Sequence, residues 1–383
     1  MRRLSLVLLT SLALTSCLGG RPQVRHPEVP RDVTTLTLAG QFSIPSGGRF
    51  PPIVGLPFGG VSGLTTRDEG RVVFGISDAA LGGRVYQFAL SDPDGPFQVT
   101  PLSAVSLTMA PGDTRPDHEG LVLLPDGTFA VAGESGAGSP GEPILPPSIN
   151  VYSRYGDFAY RIPLPDKFIP DSAASPTRGA RGNTGFEGLT LTPDGGRLFT
   201  AAESALLQDG DLATFEAGTR TRILELVARG ETFEPGREFA YDLEPVEKPS
   251  YAPGFSINGL VELLALNRTT LLTLERGFAE SRENPAQSRN RIRVYKISLI
   301  GATDISAFES LKGRTDIVPV TKTLVLDLAN VGGLSAELAP RLDNFEGMAF
   351  GPRLPDGRAS LLLVSDDNFS AAQRTWFLLF AIQ

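Results

Sequence analysis

Apolar runs of about six residues recur along the chain in pairs, and the two runs of a pair are separated by a turn of small and polar residues. The clearest pair is Gly188-Leu189-Thr190-Leu191-Thr192, then Pro193-Asp194-Gly195, then Leu198-Phe199-Thr200-Ala201-Ala202. Runs of this length, apolar on nearly every position, suit strands covered on both faces. Asp-Gly between two such runs signals a hairpin, because the tight turn needs residues that tolerate positive φ.

The pairs are copies of one unit. Asp117-His118-Glu119-Gly120-Leu121 leads through Asp126-Gly127 to Ala132-Gly133-Glu134. Gly185-Phe186-Glu187-Gly188-Leu189 leads to Ala202-Glu203. Asn344-Phe345-Glu346-Gly347-Met348 leads through Asp356-Gly357 to Ser365-Asp366. Two weaker copies lack the first Glu: Val61-Ser62-Gly63-Leu64 to Ser77-Asp78, and Ile257-Asn258-Gly259-Leu260 to Leu274-Glu275-Arg276. The shared glycines are 57, 68, 71 and 88 residues apart, too irregular for a solenoid. Further strand-like runs (Arg84–Leu90, Asn150–Tyr155, Thr221–Val227, Arg291–Leu299, Thr323–Leu328) lie between the copies. The pattern predicts an all-β, single-domain β-propeller with four-stranded blades. Roughly 340 residues suffice for six blades, with seven as the alternative. The last strand, Thr375–Ile382, pairs with N-terminal strands to close the ring and remove sheet edges, with Trp376 as packing.

The hairpin places the candidate chemistry. Glu187 opens one strand and Glu203 closes the next, and the strands are antiparallel, so both side chains fall at the same end. The same holds for Glu119 with Glu134 and for Glu346 with Asp366. If each hairpin holds the innermost strand of a blade, these ends meet at one mouth of the propeller, joined by Asp78, Glu275, Asn258 and Asn344. Such a ring repels itself unless protons, arginines or a cation neutralise it. Hard oxygen donors favour calcium or magnesium. The candidate ligands are Glu119, Glu134, Glu187, Glu203, Glu275, Glu346, Asp366 and Asp367. In the alternative, the same carboxylates fasten blades by accepting loop N–H groups or by pairing with Arg276 or Arg181.

Composition narrows the rest. Gly 42 and Pro 31 agree with many turns. A net charge of −8 argues against nucleic acid as a partner. Two histidines and one cysteine leave no intrachain disulfide, zinc finger or histidine-rich metal site. No Gly-x-Ser-x-Gly, P-loop or His-Glu-x-x-His occurs. Gly136–Gly141 matches a dinucleotide pattern only by letters, since no helix follows it. His118 is the histidine available as a general base or phosphate contact. Arg181, Arg276 and Arg289 are candidate anion contacts, with Arg276 preferred.

The N-terminus opens with Arg2-Arg3 and a short apolar stretch, Leu4–Leu14, that ends in Leu14-Thr15-Ser16-Cys17. This resembles a bacterial lipobox. It implies a signal peptide over 1–16, a lipidated Cys17, a Pro/Gly/Arg-rich tether over 17–32 and a folded domain over 33–383. The protein is then exported and held in the cell envelope by its lipid alone, with Leu18 after the cysteine favouring the outer membrane. The domain is expected to act as a monomer.

The Glu-Gly-Leu/Met repeats resemble the phytase-like domain family, described as having esterase-like activity of phytase. Leu274-Glu275-Arg276-Gly277, Asp343–Pro352 and Leu361–Ser370 carry the same resemblance. It covers about residues 55–383 and implies a propeller hydrolase of phosphate or other esters with bound calcium. His118 and Arg276 then orient the anion. The Asp-Asp-Pro-Ala signature of the calcium-dependent β-propeller phytases is absent, so no catalytic residue is carried over from them. The alternative is a non-catalytic lipoprotein propeller that binds a protein, glycan or small ligand at one rim.

Overall fold

The computed structural model describes residues 24–49, 57–79, 82–114, 116–134, 136, 145–171 and 175–383. Residues 1–16, read above as a signal peptide, Cys17 and most of the Gly136–Gly141 loop lie outside them. The strands form separate four-stranded antiparallel sheets, each a blade. Blade 1 holds β2 (Val61–Arg67), β3 (Val72–Ser77), β4 (Arg84–Leu90) and β5 (Val99–Ser106). Blade 2 holds β6 (His118–Leu123), β7 (Phe129–Gly133), β8 (Ser148–Tyr152) and β9 (Phe158–Arg161). Blade 3 holds β10 (Phe186–Leu191), β11 (Arg197–Ala202), β12 (Thr219–Arg229) and β13 (Thr232–Leu243). Blade 4 holds β14 (Pro253–Ala265), β15 (Thr270–Ser281), β16 (Arg289–Ser298) and β17 (Thr321–Asp327). Blade 5 runs β18 (Asn344–Gly351), β19 (Ser360–Asp366) and β20 (Arg374–Ile382), completed by β1 (Leu36–Pro45). β1 pairs antiparallel with β20 from Leu36 opposite Ile382 to Pro45 opposite Arg374, which closes the ring as expected. Trp376 is buried in β20.

The propeller has five blades, not six or seven. Each sequence copy forms the two inner strands of one blade, so the number of copies is the number of blades. The surplus length goes into longer strands and connections. Strands of blades 3 and 4 reach 12 and 13 residues. Segment 299–320 runs along the outer strand of blade 3, where Ile305 N–H donates to Glu238 O at 2.9 Å and Val320 N–H to Ala240 O at 3.0 Å. It covers an edge that would otherwise be open.

The inner strands β2, β6, β10, β14 and β18 pack side by side around the axis. The repeated glycine makes this approach possible. A Cβ on Gly120 would lie 2.5 Å from Glu187 O and 2.8 Å from Leu189 N, and one on Gly347 would lie 2.5 Å from Ser62 O. Both neighbours are backbone and cannot swing aside. Gly120→Ala is therefore expected to destabilise the protein by about 2–3 kcal/mol or more, read as a lower denaturant midpoint. Below the glycines, threonines tie neighbouring inner strands. Thr65 Oγ1 accepts from Leu123 N–H at 3.2 Å, and Thr190 Oγ1 from Ala265 N–H at 2.9 Å.

A buried ionic group locks the outer part of blade 3. Arg222, fully buried, donates to both oxygens of Asp209 (2.7 and 2.9 Å) and to Glu238 (2.8 Å), and Lys167 lies 3.1 Å from Glu238. Removing one member strands the others in low dielectric. Arg222→Ala is expected to cost about 3–5 kcal/mol, measured by equilibrium unfolding.

Tight turns close the inner hairpins at one end of the axis. The connections 203–218, 244–252 and 328–343 gather at the other, with the carboxylates. At the tight-turn end Val24–Asp32 lies across the base. Val24 and Val29 pack against core clusters, Asp32 pairs with Lys296 at 2.6 Å, and Glu28 pairs with Arg353. A small apolar cavity of about 100 Å³ beneath it is lined by His26, Leu121, Leu189 and Phe350. No helix among the described residues is long and apolar enough to cross a membrane.

Candidate functional site

The inner strands start at the carboxylate end, and their partner strands finish there. Among the described residues two groups of three carboxylates form, each with ligand oxygens within 4.8 Å of one another: Asp78, Asp117 and Glu119, and Glu134, Glu187 and Glu203. Glu346 acts electrostatically on both Asp78 and Glu119, Glu187 acts on Glu119, and Asp78 acts on Asp366, which joins the groups into one acidic mouth. The cation set directly among these groups is Arg276. Its Nη2 is 2.9 Å from Glu346 and 3.5 Å from Glu203.

One arginine does not balance eight carboxyls, and the protonation pattern follows. Burial, then the neighbouring acids, pushes Asp78 up to about 8. Burial raises Glu203 to about 7 against the pull of Arg276. Burial and like charge hold Glu119, Glu134, Glu187 and Asp366 well above the carboxylate range, and burial also raises Asp117 and Glu346. Charge of one sign concentrated out of water must be protonated or matched by a cation.

Several buried polar atoms around the mouth have no hydrogen-bond partner within the protein: Ser62 Oγ, Asp78 Oδ1, Thr184 Oγ1, Glu203 Oε1, Ser204 Oγ and Arg276 Nε. Ser62 occupies in β2 the position that Glu119 and Glu187 hold in β6 and β10. Orphaned buried polar atoms of this kind are rare without a ligand or water. An all-oxygen, carboxylate-rich donor set fits a hard divalent cation, calcium foremost.

Blade 4 departs from the repeat. Arg276 takes the mouth-facing place, and because successive side chains in a strand alternate, Glu275 faces away. It accepts from Tyr241 Oη (2.7 Å), Asn258 Nδ2 (3.0 Å) and Lys322 Nζ (2.6 Å) between blades 3 and 4. Asn258 is thereby turned from the mouth, whereas Asn344 Nδ2 donates to Glu346 at 2.8 Å.

Asp366 and Asp367 divide their work. Asp366 faces the acidic mouth, and its Oδ1 accepts from Asn368 N–H at 2.8 Å. Asp367 Oδ1 accepts from Phe369 N–H at 3.0 Å and, across the junction with blade 1, from Gly60 N–H at 2.9 Å. These bonds hold Asn368 and Phe369 at φ 47° and 50°, a costly left-handed pair beside the mouth.

His118 stacks near Tyr152, with Nε2 3.4 Å from the phenol oxygen, and Gly83 of blade 1 leaves room for its ring. Burial lowers its pKa to about 4, so it is neutral at neutral pH. Arg181 donates to Ala205 O at 3.1 Å and to Gly210 O at 2.5 Å, organising the 203–218 connection.

Two acids were missed in the sequence. Asp117 sits two residues before Glu119 and so on the same strand face; that spacing was the available signal. Glu262, in β14, is buried at the axis, where its Oε1 accepts from Leu189 N–H (3.2 Å) and Leu263 N–H (2.9 Å). Burial holds its pKa well up, so it ties inner strands as a neutral acid. Its apolar surroundings, Leu260-Val261-Glu262-Leu263-Leu264, hid it.

Fold and site define a five-bladed β-propeller with a carboxylate mouth centred on one arginine. The chain belongs to the Phytase-like family, described as esterase-like activity of phytase, which it matches over residues 56–369. It is 34% identical over 105 residues to an uncharacterized secreted protein of Arthroderma benhamiae, a match that takes in 24% of this chain and 20% of that one. The chain thus spans about a fifth of that relative's length. Solved structures with similar shape include the PQQ-bound aldose sugar dehydrogenase of Streptomyces coelicolor (13% identity, TM-score 0.37, covering 88% of this chain and 84% of that one). An α-L-arabinanase of Cellvibrio cellulosa gives 10% identity and a TM-score of 0.40, with 84% and 91% covered. A gluconolactonase of Xanthomonas campestris gives 11% and 0.32, with 94% and 98% covered. At such scores no residue or activity is carried over from them.

Proposed function

We propose that the protein is an exported, cation-dependent hydrolase of carboxylic or phosphoric esters, with calcium held at the carboxylate mouth. The observation that carries this reading is the surplus of buried and half-buried carboxyls over cations, with orphaned polar atoms around them. Family membership supports the reaction class. The secreted relative supports export, and the lipobox-like Cys17 supports lipid anchoring in the cell envelope.

In this reading Asp78, Asp117 and Glu119, together with Glu134, Glu187 and Glu203, hold the cation. A bound divalent ion supplies Lewis acidity toward the ester oxygen and eases deprotonation of water. Arg276, fixed by Glu346 and Glu203, offers positive charge to a developing oxyanion. Glu346 orients Arg276 and is itself oriented by Asn344. His118, neutral and beside Tyr152, sets the β6 start rather than carrying charge. The test is release of p-nitrophenol from p-nitrophenyl acetate and p-nitrophenyl phosphate, with calcium and with EDTA. Calcium-dependent release is expected. Equal rates in both conditions, or no release by folded protein, overturns the reading.

A second reading rests on the bonds that cross blades. Glu134 Oε1 accepts from Gly185 N–H at 3.1 Å, Asp367 from Gly60, and Arg276 spans blades 3 to 5. A non-catalytic propeller fastened in this way would lose melting temperature on Glu→Gln substitution and show no reaction to lose.

A further inference from the structure

We propose that a basic pocket above blade 4 binds an anionic group with an apolar body, and that the ester cleaved at the mouth carries such a group. The second clause rests on the hydrolase reading. The cavity, about 390 Å³, lies between the connection entering blade 4 and the one leaving it. Lys248, Arg289, Arg291 and Arg341 line it, with Glu247 as the acid in the lining. Glu247 is already engaged, 3.0 Å from Arg291 and 3.1 Å from Arg293. Among the described residues, Lys248, Arg289 and Arg341 form no salt bridge, although the charge of Arg341 acts on nearby Asp343. The buried Nε of Arg291 has no hydrogen-bond partner within the protein. In a chain of net charge −8, cations that outnumber the acids around a concavity form a local anion site.

The pocket is held in shape. Arg289 Nη1 donates to Pro340 O at 3.2 Å and Asn290 Nδ2 to Leu342 O at 3.1 Å, latching its two sides. Phe278, Pro340 and Leu342 make an apolar wall, which suits a carbon-bearing anion better than a bare ion. The pocket and the mouth share the same end of blade 4: Gly277 in the lining follows Arg276, and Leu342 precedes Asn344 by two residues. In the proposal, an ester held over Arg276 places its far end there.

Carboxylate and phosphonate share this chemistry, and both serve as probes. Benzoate, phenylphosphonate and neutral benzyl alcohol are titrated calorimetrically into the protein in EDTA. The anions are expected to bind and the alcohol not, and the double variant R289A/R341A is expected to weaken the anions about tenfold or more with calcium binding unchanged. No anion binding, equal binding by the variant, or binding only with calcium present overturns the pocket. In turnover, the variant is expected to raise KM for mono-p-nitrophenyl glutarate about tenfold and leave p-nitrophenyl acetate unaffected. An equal rise for both esters overturns the substrate assignment. If neither ester is cleaved, the hydrolase reading falls, while the calorimetry in EDTA still decides the pocket.

Discussion

Replacing Glu187 and Glu346 together by Gln is expected to lower kcat/KM on p-nitrophenyl esters by about 10²–10³-fold while the protein stays folded. The substitution keeps volume and hydrogen-bonding capacity and removes, on two sides of the mouth, a carboxyl that can ionise to bind a cation. Glu187 belongs to the group with Glu134 and Glu203, and Glu346 fixes Arg276. One change thus weakens both cation retention and the positioning of the guanidinium. The comparison must include calcium titration: weaker calcium binding alongside the lost turnover assigns the loss to the site. Full activity with weakened calcium binding would separate the carboxylates from the chemistry, and an unfolded variant would be replaced by the single Glu187→Gln.

The second large effect is on stability. Metal-free protein is expected to lose stability as pH rises from about 4 to 8, and calcium to cancel most of the loss. The sign follows from the raised carboxyls. With Asp78 at about 8 and Glu203 at about 7 in the folded state, the fold binds more protons than the unfolded chain throughout this window. Stability then falls with increasing pH until the folded-state values are passed. Each unit of difference at one group corresponds to about 1.4 kcal/mol, so even a few such groups shift the melting temperature by several degrees. Calcium at about 100 times its Kd adds about 2.7 kcal/mol, most strongly at high pH where the ligands are ionised. Melting curves at pH 5 and pH 8, with EDTA and with calcium, measure both. A metal-free protein more stable at pH 8 than at pH 5 would contradict the protonated mouth.

Much of this was legible in the chain because hairpin chemistry is local. The Asp-Gly turns, the continuous apolar runs and the antiparallel return placed Glu187 with Glu203 and Glu119 with Glu134 before any tertiary contact was known. The strand at Arg84–Leu90 matches β4 end to end, and closure by the last strand followed from the need to cover edges. The blade number did not follow from length, because chain length cannot separate a sixth blade from long strands and a covering segment such as 299–320. The copies themselves were the better count.

Tertiary structure decided what depends on packing between distant segments. Whether Glu275 or Arg276 faces the mouth turns on the register of β14 against β15, which shifts between Leu260 and Glu262. Asp117 joins Asp78 only when blades 1 and 2 meet. The basic pocket exists because Arg289, already a candidate anion contact in the sequence, converges above one blade with Lys248 and Arg341, which nothing along the chain singled out. The sequence by itself determined the repeating unit and the end of it that carries charge, since turn conformation and strand alternation are properties of neighbours. How many units close the ring, and which side chains then confront one another, is set by the distance at which glycine lets the inner strands meet.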